Sequence, residues 1–403
     1  MSWHTEGIRF SSVEALKVLF LTHSFPRYKG DAPGSFLLRL AVALGEQDVS
    51  VSVVAPAAPG YPDRDVIEGI GIERFRYAPR RFETLAYTGN MAQDVSKSWS
   101  ARAALAGYMG AGIRRALSAR RLTGSDLIHA HWWFPSGITG RIASKISRKP
   151  LVTTLHGTDV RMAKAIRSSR PFFRGVMNSS ARVTTVSSWL AAQVEELQPA
   201  MYPDVAPMPA ATDRFRPGRT REAARFLFAG RLNRQKGLDH LLKALATMSR
   251  PAMLDVVGDG ADAKSLRLMA SQLGVSDRIV WHGQLDQDGL LRMYQSATAV
   301  IVPSTDEGLG LVAAEALLCE APVIAFRSGG LTDIINEGKT GFLVTPGDTA
   351  ELARALDAVL EAPEHAGNLA RAGRMFALSA FSPETAALRY AEIYRVALSR
   401  GAT

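Results

Sequence analysis

Short apolar runs rich in β-branched residues alternate with helix-length amphipathic segments along almost the whole chain. This alternation is typical of repeated strand–helix–strand units, which place helices on the faces of a parallel sheet. The apolar runs of the first half predict strands at residues 17–22, 49–55, 72–77, 126–131, 151–155, 181–186 and 201–206. Those of the second half predict strands at residues 225–229, 252–257, 278–281, 299–302, 322–325 and 341–344. The pattern therefore predicts an α/β protein with two open, doubly wound sheets.

A proline-rich stretch separates the two halves. Proline removes a ladder donor and disfavours regular structure, so the run from Pro203 to Pro217 is the best linker candidate. The predicted domains are residues 1–207 and 208–380, and Ser382-Pro383 predicts the capped start of a final helix within residues 381–403. Ligands of such sheets bind beyond the carboxyl ends of the strands. A ligand is therefore expected in the cleft between the domains.

Composition narrows the class of protein. The chain has 403 residues, of which 47% are hydrophobic and 21% charged, and this excludes a disordered or collagen-like chain. Its single cysteine, Cys319, cannot form an internal disulfide, so a cytoplasmic location is the default expectation. No stretch approaches the roughly 20 apolar residues that a membrane-spanning helix needs. We therefore expect a cytoplasmic protein that is soluble or associates peripherally with a membrane.

Positive charge is concentrated in the first half. The formal net charge is +10, and residues 60–175 contain 20 Lys and Arg against 8 Asp and Glu, a difference of +12. Such a basic region can face nucleic acid, an anionic bilayer or a phosphorylated substrate, or can simply be a solvated surface. The interleaved aromatic residues expected of single-strand binders are sparse, so we expect no nucleic-acid partner.

The segment at residues 228–237 reads FAGRLNRQKG and lies between a predicted strand and a helix. A glycine permits close backbone approach, a helix start offers free amides, and Arg231 with Lys236 can bind two phosphates. The alternative is a surface loop with two cations. The segment lacks the glycine spacing and the final Ser or Thr of the Walker motif.

The segment at residues 307–315 reads EGLGLVAAE and follows the apolar strand 299–302. On one continuous helix Glu307 and Glu315 would point in different directions, because eight residues correspond to ~80° of rotation. If a loop ends near Gly310, both carboxylates can address one ligand. A carboxylate that accepts two neighbouring hydroxyls is a common ribose contact. The alternative is a helix cap at Glu307 and a surface Glu315.

Together the two segments resemble the retaining glycosyltransferases of the GT-B fold, in particular glycosyltransferase family 4. The E-x7-E element of that family matches Glu307 to Glu315, and its G-R-L-x-x-x-K-G element matches Gly230 to Gly237. The resemblance covers most of the chain except the first dozen residues and the loop at 56–95. It implies two Rossmann-like, doubly wound domains that face each other across a cleft, with the C-terminal helix crossing back to the N-terminal domain.

The resemblance also implies roles for individual residues. Arg231 and Lys236 would hold the donor diphosphate, Glu315 would accept the ribose hydroxyls, and Glu307 would lie against the transferred sugar. His282 and Gly283 would frame the nucleobase mainly through main-chain groups. The full implied donor site is Gly230, Arg231, Lys236, His282, Gly283, Glu307, Gly308, Leu309, Gly310, Leu311 and Glu315. The nucleotide sugar is a co-substrate, with UDP or GDP expected, and no separate cofactor is expected.

In the first domain, residues 156–159 read HGTD and follow a predicted strand. The resemblance places His156 near the reacting carbon and makes it a catalytic residue beside Glu307, Arg231 and Lys236. Asp159 is a candidate acceptor contact or a helix cap, and a structural role for His156 is the alternative. His129, His131 and His156 can be misread as a metal triad, but no carboxylate or thiolate ligand recurs nearby, so we expect no metal.

The loop at residues 29–35 departs from the family pattern. Family members carry adjacent glycines there as an acceptor loop, whereas this chain keeps only Gly30 and Gly34. Residues 208–213 depart as well, because the asparagine and glycine that often precede Asp213 are absent. Both departures concern the acceptor and the hinge and leave the donor elements intact.

The expected reaction is transfer of a sugar from a nucleotide diphosphate to an acceptor with retention of configuration. The acceptor can be a small molecule, a glycan or a lipid-linked molecule, and the basic N-terminal half can contact an anionic membrane. Two alternatives are a nucleotide-sugar epimerase of the same fold and a non-catalytic protein that binds a nucleotide sugar or nucleic acid.

Overall fold

The computed structural model describes residues 15–83, 85–87 and 99–400. It contains two sheets, one in each half of the chain, with helices packed against their faces. We call residues 15–205 with the final helix the N-terminal lobe, and residues 225–381 the C-terminal lobe. The predicted two-domain α/β architecture is confirmed.

The first sheet has eight strands in the order β3-β4-β2-β1-β5-β6-β7-β8. Its strands are β1 Leu16–Leu21, β2 Val49–Pro56, β3 Arg64–Ile67, β4 Ile70–Phe75, β5 Leu127–His131, β6 Leu151–Leu155, β7 Arg182–Thr185 and β8 Asp204–Val205. Its helices are α1 Ser35–Gly45, α2 Trp99–Thr123, α3 Ile138–Ser147, α4 Thr158–Ala165, α5 Arg170–Ser179 and α6 Ser188–Leu197. Strands β1, β5 and β6 are buried neighbours at the centre, so the loops that follow them meet at one edge.

The second sheet has six parallel strands in the order β11-β10-β9-β12-β13-β14. Its strands are β9 Arg225–Ala229, β10 Met253–Val257, β11 Ile279–Gly283, β12 Ala299–Val302, β13 Val323–Phe326 and β14 Phe342–Val344. Its helices are α7 Leu238–Thr247, α8 Ala263–Gln272, α9 Gln287–Ser296, α10 Leu311–Leu318, α11 Leu331–Ile334, α12 Thr349–Glu361 and α13 Pro363–Phe381. The order reverses between β9 and β12, which is where ligands of doubly wound sheets bind.

The edge of the first sheet differs from the sequence prediction. Strand β3 was not predicted, and it pairs antiparallel with β4 through a tight turn at Glu68 and Gly69. Both turn residues have positive φ, 50° and 82°, as a two-residue hairpin turn requires. The strand is short, polar and half exposed, so its apolar pattern is weak. At the other edge of the sheet, the strand predicted at residues 201–206 is shorter in the structure, where β8 has two residues.

The final helix, α14 Pro383–Arg400, belongs to the N-terminal lobe. Its start is capped by Ser382, whose hydroxyl accepts from the Thr385 amide at 3.1 Å. Tyr394 bonds the buried His129 of β5 at 2.8 Å, and the Tyr390 hydroxyl donates to the Ala206 carbonyl at 3.1 Å. The predicted return of the C-terminal helix is therefore confirmed. In the described part of the chain, no helix has the length and apolar character to cross a membrane.

Candidate active site

The two lobes touch at the carboxyl edges of their sheets, and main chain meets main chain there. A Cβ atom added to Gly308 would lie 2.2 Å from the His156 carbonyl oxygen, and one added to Gly157 would lie 2.9 Å from the Gly308 Cα. Any side chain at Gly308 would therefore force the loops apart. The glycine at this position lets the predicted donor loop reach the loop that carries His156.

Three side chains tie the N-terminal lobe to this region of the C-terminal lobe. The Ser187 hydroxyl donates to the Gly308 carbonyl at 2.6 Å. The Ser188 amide and hydroxyl both donate to the Asp333 carboxylate at 2.6 Å, and Arg161 donates to the Asp306 carbonyl at 3.2 Å. Sequence reasoning did not find these residues, because their only signal is a contact between lobes that no local pattern encodes.

The loop at residues 230–237 is held in shape by glycines and a cap. Gly230 has φ 158°, and a Cβ on Gly258 would lie 1.9 Å from the Gly230 carbonyl oxygen, so the two turns pack backbone to backbone. The Asn233 side chain accepts from the Lys236 amide at 3.2 Å. The loop joins β9 to α7, which is the strand-to-helix position that the sequence predicts.

Lys236 and Glu307 form the central ion pair of the site. The Lys236 Nζ lies 2.6 Å from Glu307 Oε2, and the two side chains are 21% and 16% exposed. Burial by itself would raise the pKa of the Glu307 carboxyl. The charge of Lys236 and its hydrogen bond, with the Arg161 charge and a Ser304 hydrogen bond, outweigh that effect and lower this pKa below its ordinary value. Glu307 is therefore a carboxylate at neutral pH, and Lys236 retains donors for a further anion.

Arg231 lies on the same loop as Lys236 and is exposed. The structure gives its guanidinium no hydrogen bond or ion pair to another residue in the described ranges. A planar fork without a protein partner, next to a glycine-rich turn, is available to a diphosphate.

Glu315 lies inside α10, which begins directly after Gly310, so the loop ends where the sequence places it. Gly310 has φ 100° and its missing side chain leaves room for Leu331. The Tyr294 hydroxyl donates to Glu315 Oε2 at 3.2 Å. Burial raises the pKa of Glu315 to about 7, with Arg39 and the Tyr294 bond acting in the opposite direction. Near neutral pH this carboxyl is therefore present in both protonation states.

His156 follows β6 and faces a cluster of rings. Its Nε2 lies 3.2 Å from His131 Nδ1, and its ring stacks on Trp132 with centroids 4.1 Å apart. Phe36, in the first turn of α1, contacts both rings, with its centroid 5.5 Å from that of His156 and 6.2 Å from that of Trp132. Burial lowers the pKa of His156 well below its ordinary value, and His131 and His23 lower it further. The imidazole is therefore neutral and acts as a hydrogen-bonding group rather than as a cation.

Asp159 caps the turn that carries His156, as one of its two predicted roles requires, and its contact with the acceptor stays a prediction. Its Oδ1 accepts from the amides of His156, Gly157 and Val160 at 3.1, 2.9 and 3.0 Å. Its Oδ2 accepts from the Trp133 amide at 3.1 Å. Asp159 is only 3% exposed, so it organises the His156 turn from beneath.

The predicted acceptor loop is shaped by an ion pair that sequence reasoning missed. Arg27 binds Asp31 through two guanidinium bonds of 2.7 and 2.8 Å. Gly34, with φ 73°, begins α1, and a Cβ there would lie 2.5 Å from the Ser24 carbonyl oxygen. Gly30 also has a positive φ, 93°, but its missing side chain faces open space. The loop leads into Phe36 and hence to the His156 cluster.

The His282 ring is turned toward the sheet. Its Nε2 lies 2.6 Å from Asp255 Oδ1, and Asp255 also binds Arg225 at 2.5 and 2.8 Å. The Gly283 carbonyl accepts from the Gly258 amide at 2.7 Å. The His282 ring is therefore engaged with Asp255, and the main-chain contact of this turn with a nucleobase stays a prediction.

No cluster of histidine, cysteine or carboxylate side chains among the described residues has the arrangement of a metal site. His129 and His131 do share a strand face with His156 nearby. However, His129 is bound by Tyr394 and by Thr154 Oγ1 at 2.8 and 2.7 Å.

The chain has two α/β lobes that meet at the carboxyl edges of their sheets, which is the architecture of a two-domain transferase. The model of the family "Glycosyl transferases group 1" matches residues 210–376, and that of "Glycosyl transferase 4-like domain" matches residues 32–211. A D-inositol 3-phosphate glycosyltransferase of Arthrobacter sp. strain FB24 is 32% identical over 303 residues, which cover 68% of this chain and 71% of that relative. The chain belongs to glycosyltransferase family 4 of the GT-B fold.

Solved structures share the fold over nearly the whole chain. A sucrose-phosphate synthase from Thermosynechococcus elongatus superposes with a TM-score of 0.80 at 22% identity, covering 96% of this chain and 100% of that one. Anabaena HepE in complex with UDP-glucose superposes with a TM-score of 0.71 at 21% identity, covering 94% and 99%. The protein is a glycosyltransferase that uses nucleotide-sugar donors, and neither the epimerase nor the nucleic-acid alternative is favoured.

Proposed function

We propose that the protein transfers glucose or a related sugar from a UDP-sugar to a hydroxyl of an anionic acceptor, with retention of the anomeric configuration. The observation that carries the proposal is the meeting of Lys236 and Glu307 at 2.6 Å, directly beside the contact of Gly308 with the His156 loop. One sugar can lie between these groups, with its diphosphate on the C-terminal lobe and its anomeric carbon toward the N-terminal lobe.

The cations of the C-terminal loop suit the leaving group. During transfer the bond from the anomeric carbon to the β-phosphate oxygen breaks, and its electron pair stays on that oxygen. Arg231 and Lys236 would stabilise the developing negative charge, which preorganised donors do effectively in a partly buried site. Glu315 would accept the ribose hydroxyls, because it lies on the helix that follows the donor loop.

Retention is proposed from the resemblance to the retaining family, and the site bears on the route by which it would occur. Glu307 is held by Lys236, and His156 is neutral and stacked on Trp132, so neither is arranged as a free nucleophile, which disfavours a covalent glycosyl-enzyme intermediate. In the proposed reaction the acceptor oxygen bonds to the anomeric carbon on the face that the phosphate leaves. The acceptor proton passes to the departing phosphate oxygen. The enzyme then contributes mainly positioning and charge stabilisation.

The nature of donor and acceptor is supported by the relatives and by charge. HepE was solved with UDP-glucose, and the Arthrobacter relative is named for an inositol phosphate. The surplus of +12 between residues 60 and 175 lies in the N-terminal lobe and favours an acidic acceptor. UDP is therefore the first nucleotide to test, with GDP second.

The anomeric configuration of the product can be tested without knowing the acceptor, because water can take the place of the acceptor in a slow hydrolysis of the donor. UDP-glucose has the α configuration, so we expect hydrolysis by the enzyme to release α-glucose before mutarotation, as followed by proton NMR. The Lys236→Ala variant, purified in parallel, reports any contaminating hydrolase. Initial release of β-glucose would contradict retention, and formation of the C4 epimer of the donor would favour an epimerase. Absence of turnover with UDP-, GDP- and ADP-glucose would contradict the donor assignment.

A further inference from the structure

A cavity lies in the N-terminal lobe, outside the candidate donor site. Its volume is about 300 Å³, at the lower end of the ~300–1,000 Å³ of small-molecule pockets. It is lined almost entirely by apolar and aromatic side chains, with two serines at the rim: Trp133, Phe134, Ile138, Met162, Ser168, Ser169 and Phe172. A polar small molecule would gain little from such a lining, whereas a hydrocarbon chain would be desolvated by it.

The apolar surface continues out of the cavity along α3. Ile138 lines the cavity, and Ile142 and Ile146 follow at intervals of four residues, so each is the neighbour of the one before it on the helix surface. Ile142 and Ile146 are 36% and 61% exposed, and Phe172 at the cavity rim is 59% exposed. Contiguous exposed apolar side chains of this kind mark a binding surface.

The chain segments that form this apolar surface are rich in cations, one of which, Lys164, is paired with Glu196 of α6 at 2.7 Å. Residues 138–174 contain nine Lys and Arg and a single acidic residue, Asp159, which is buried under the His156 turn. The nine are Arg141, Lys145, Arg148, Lys149, Arg161, Lys164, Arg167, Arg170 and Arg174. A ligand that matches both features carries a hydrocarbon chain and a negative charge.

Residues that are consecutive along the chain line the cavity on one hand and contact the active site on the other. Trp132 stacks on His156 at 4.1 Å, and the next residue, Trp133, forms the cavity wall and donates to the Asp159 carbonyl at 2.7 Å. On α4, Met162 lines the cavity and the preceding Arg161 bonds the Asp306 carbonyl beside Glu307. The wall of the cavity and the surroundings of His156 and Glu307 are therefore built from adjacent residues.

We propose that this cavity binds the hydrocarbon chain of an anionic amphiphile, and that this amphiphile is the acceptor. The inference rests on the function proposed above and narrows its acceptor class. The chain would pack between Phe134, Met162 and Phe172, and the cations at the rim would attract the anionic head group. A hydroxyl of the head group would then reach the anomeric carbon beside His156.

The test is a chain-length series of octyl, decyl and dodecyl phosphate, titrated calorimetrically below their critical micelle concentrations, with inorganic phosphate as the head-group probe. Each added methylene is expected to tighten binding by about fourfold until the cavity is full, because burial of one methylene stabilises by ~0.8 kcal/mol. Inorganic phosphate is expected to bind far more weakly. The bound amphiphile is also expected to slow hydrolysis of UDP-glucose, since it occupies the position from which water attacks.

Two variants separate the cavity from general surface charge. Phe172→Glu places a carboxylate at the rim of the cavity, and Ser168→Trp fills the cavity without adding charge. Each variant is expected to lower the affinity for decyl phosphate at least tenfold. Leu268→Glu is the matched control, because Leu268 is 60% exposed on α8 of the C-terminal lobe. It is expected to bind decyl phosphate as wild type does.

Several results would overturn the proposal. These are affinity that does not depend on chain length, wild-type affinity in both cavity variants, and chain-dependent binding that leaves UDP-glucose hydrolysis unchanged. Adsorption to anionic vesicles that is lost in salt and equal in all variants would show a simple basic surface instead. UDP binding is measured on the same samples. If UDP binds and the amphiphiles do not, the cavity inference fails alone; if UDP fails to bind, the proposed function fails as well.

Discussion

Replacing Lys236 by alanine is expected to lower kcat for sugar transfer or donor hydrolysis by about 10²–10³, the usual cost of removing a preorganised charge-stabilising donor. The ammonium lies 2.6 Å from Glu307, and this ion pair fixes its position. Its loss removes charge stabilisation from the leaving diphosphate and leaves Glu307 largely buried without its partner. Arg231→Ala is expected to reduce turnover in the same direction.

The loss of turnover can be separated from loss of stability. The double variant Lys236→Ala/Glu307→Gln has no unpaired carboxylate, so its thermal unfolding is expected to return toward that of wild type while turnover stays low. Lys243→Ala is the matched control, because Lys243 lies on α7 and is 46% exposed. Near-wild-type kcat for Lys236→Ala, measured by UDP release, would remove Lys236 from the mechanism.

Gly308→Ala is expected to lower kcat by about 10² with a folded protein and a smaller effect on donor affinity. The added Cβ would stand 2.2 Å from the His156 carbonyl oxygen, so the two loops must separate by roughly 1 Å. A displacement of that size between reacting groups is enough for a loss of ~10²-fold. The variant also weakens the bond from Ser187 to the Gly308 carbonyl. Steady-state kinetics with UDP-glucose measure the change in kcat, and a titration with UDP measures the change in donor affinity.

The control for this variant is Gly110→Ala in α2, where an added Cβ meets no atom within 4 Å. Alanine favours the helix over glycine there, so activity and stability are expected to match or exceed those of wild type. If Gly308→Ala has the same kcat as Gly110→Ala, the close approach of the lobes at Gly308 is not required for catalysis.

The sequence predicts the sheets well because their central strands are buried and continuous in apolar character. Strands β9 and β12 have the predicted bounds, and β6 does also. Edge strands carry less information. Strand β3 is polar and four residues long, and its pairing depends on a turn rather than on burial.

The donor loops could be predicted because glycines and charged residues stand at fixed positions between a strand and a helix. The contact of Lys236 with Glu307 joins residues 71 apart and follows from the neighbouring positions of β9 and β12. The bonds of Ser187 and Ser188 to the other lobe depend on how the lobes dock, which no local pattern records. The capping role of Asp159 could be predicted from its place at a helix start, whereas its burial under the His156 turn is a tertiary property that the sequence does not record.

The central claim is that Lys236, Arg231, Glu307 and Glu315 of the C-terminal lobe bind one nucleotide sugar. Calorimetric titration of UDP into wild type, Lys236→Ala and Glu315→Gln tests it most directly, with Glu364→Gln as a control at an exposed position of α13. Charge-assisted hydrogen bonds contribute ~1.5–3 kcal/mol, so each of the two site variants is expected to bind UDP about 10- to 100-fold more weakly than wild type. The control variant is expected to bind UDP as tightly as wild type does. Equal UDP affinity in all four proteins would contradict the account.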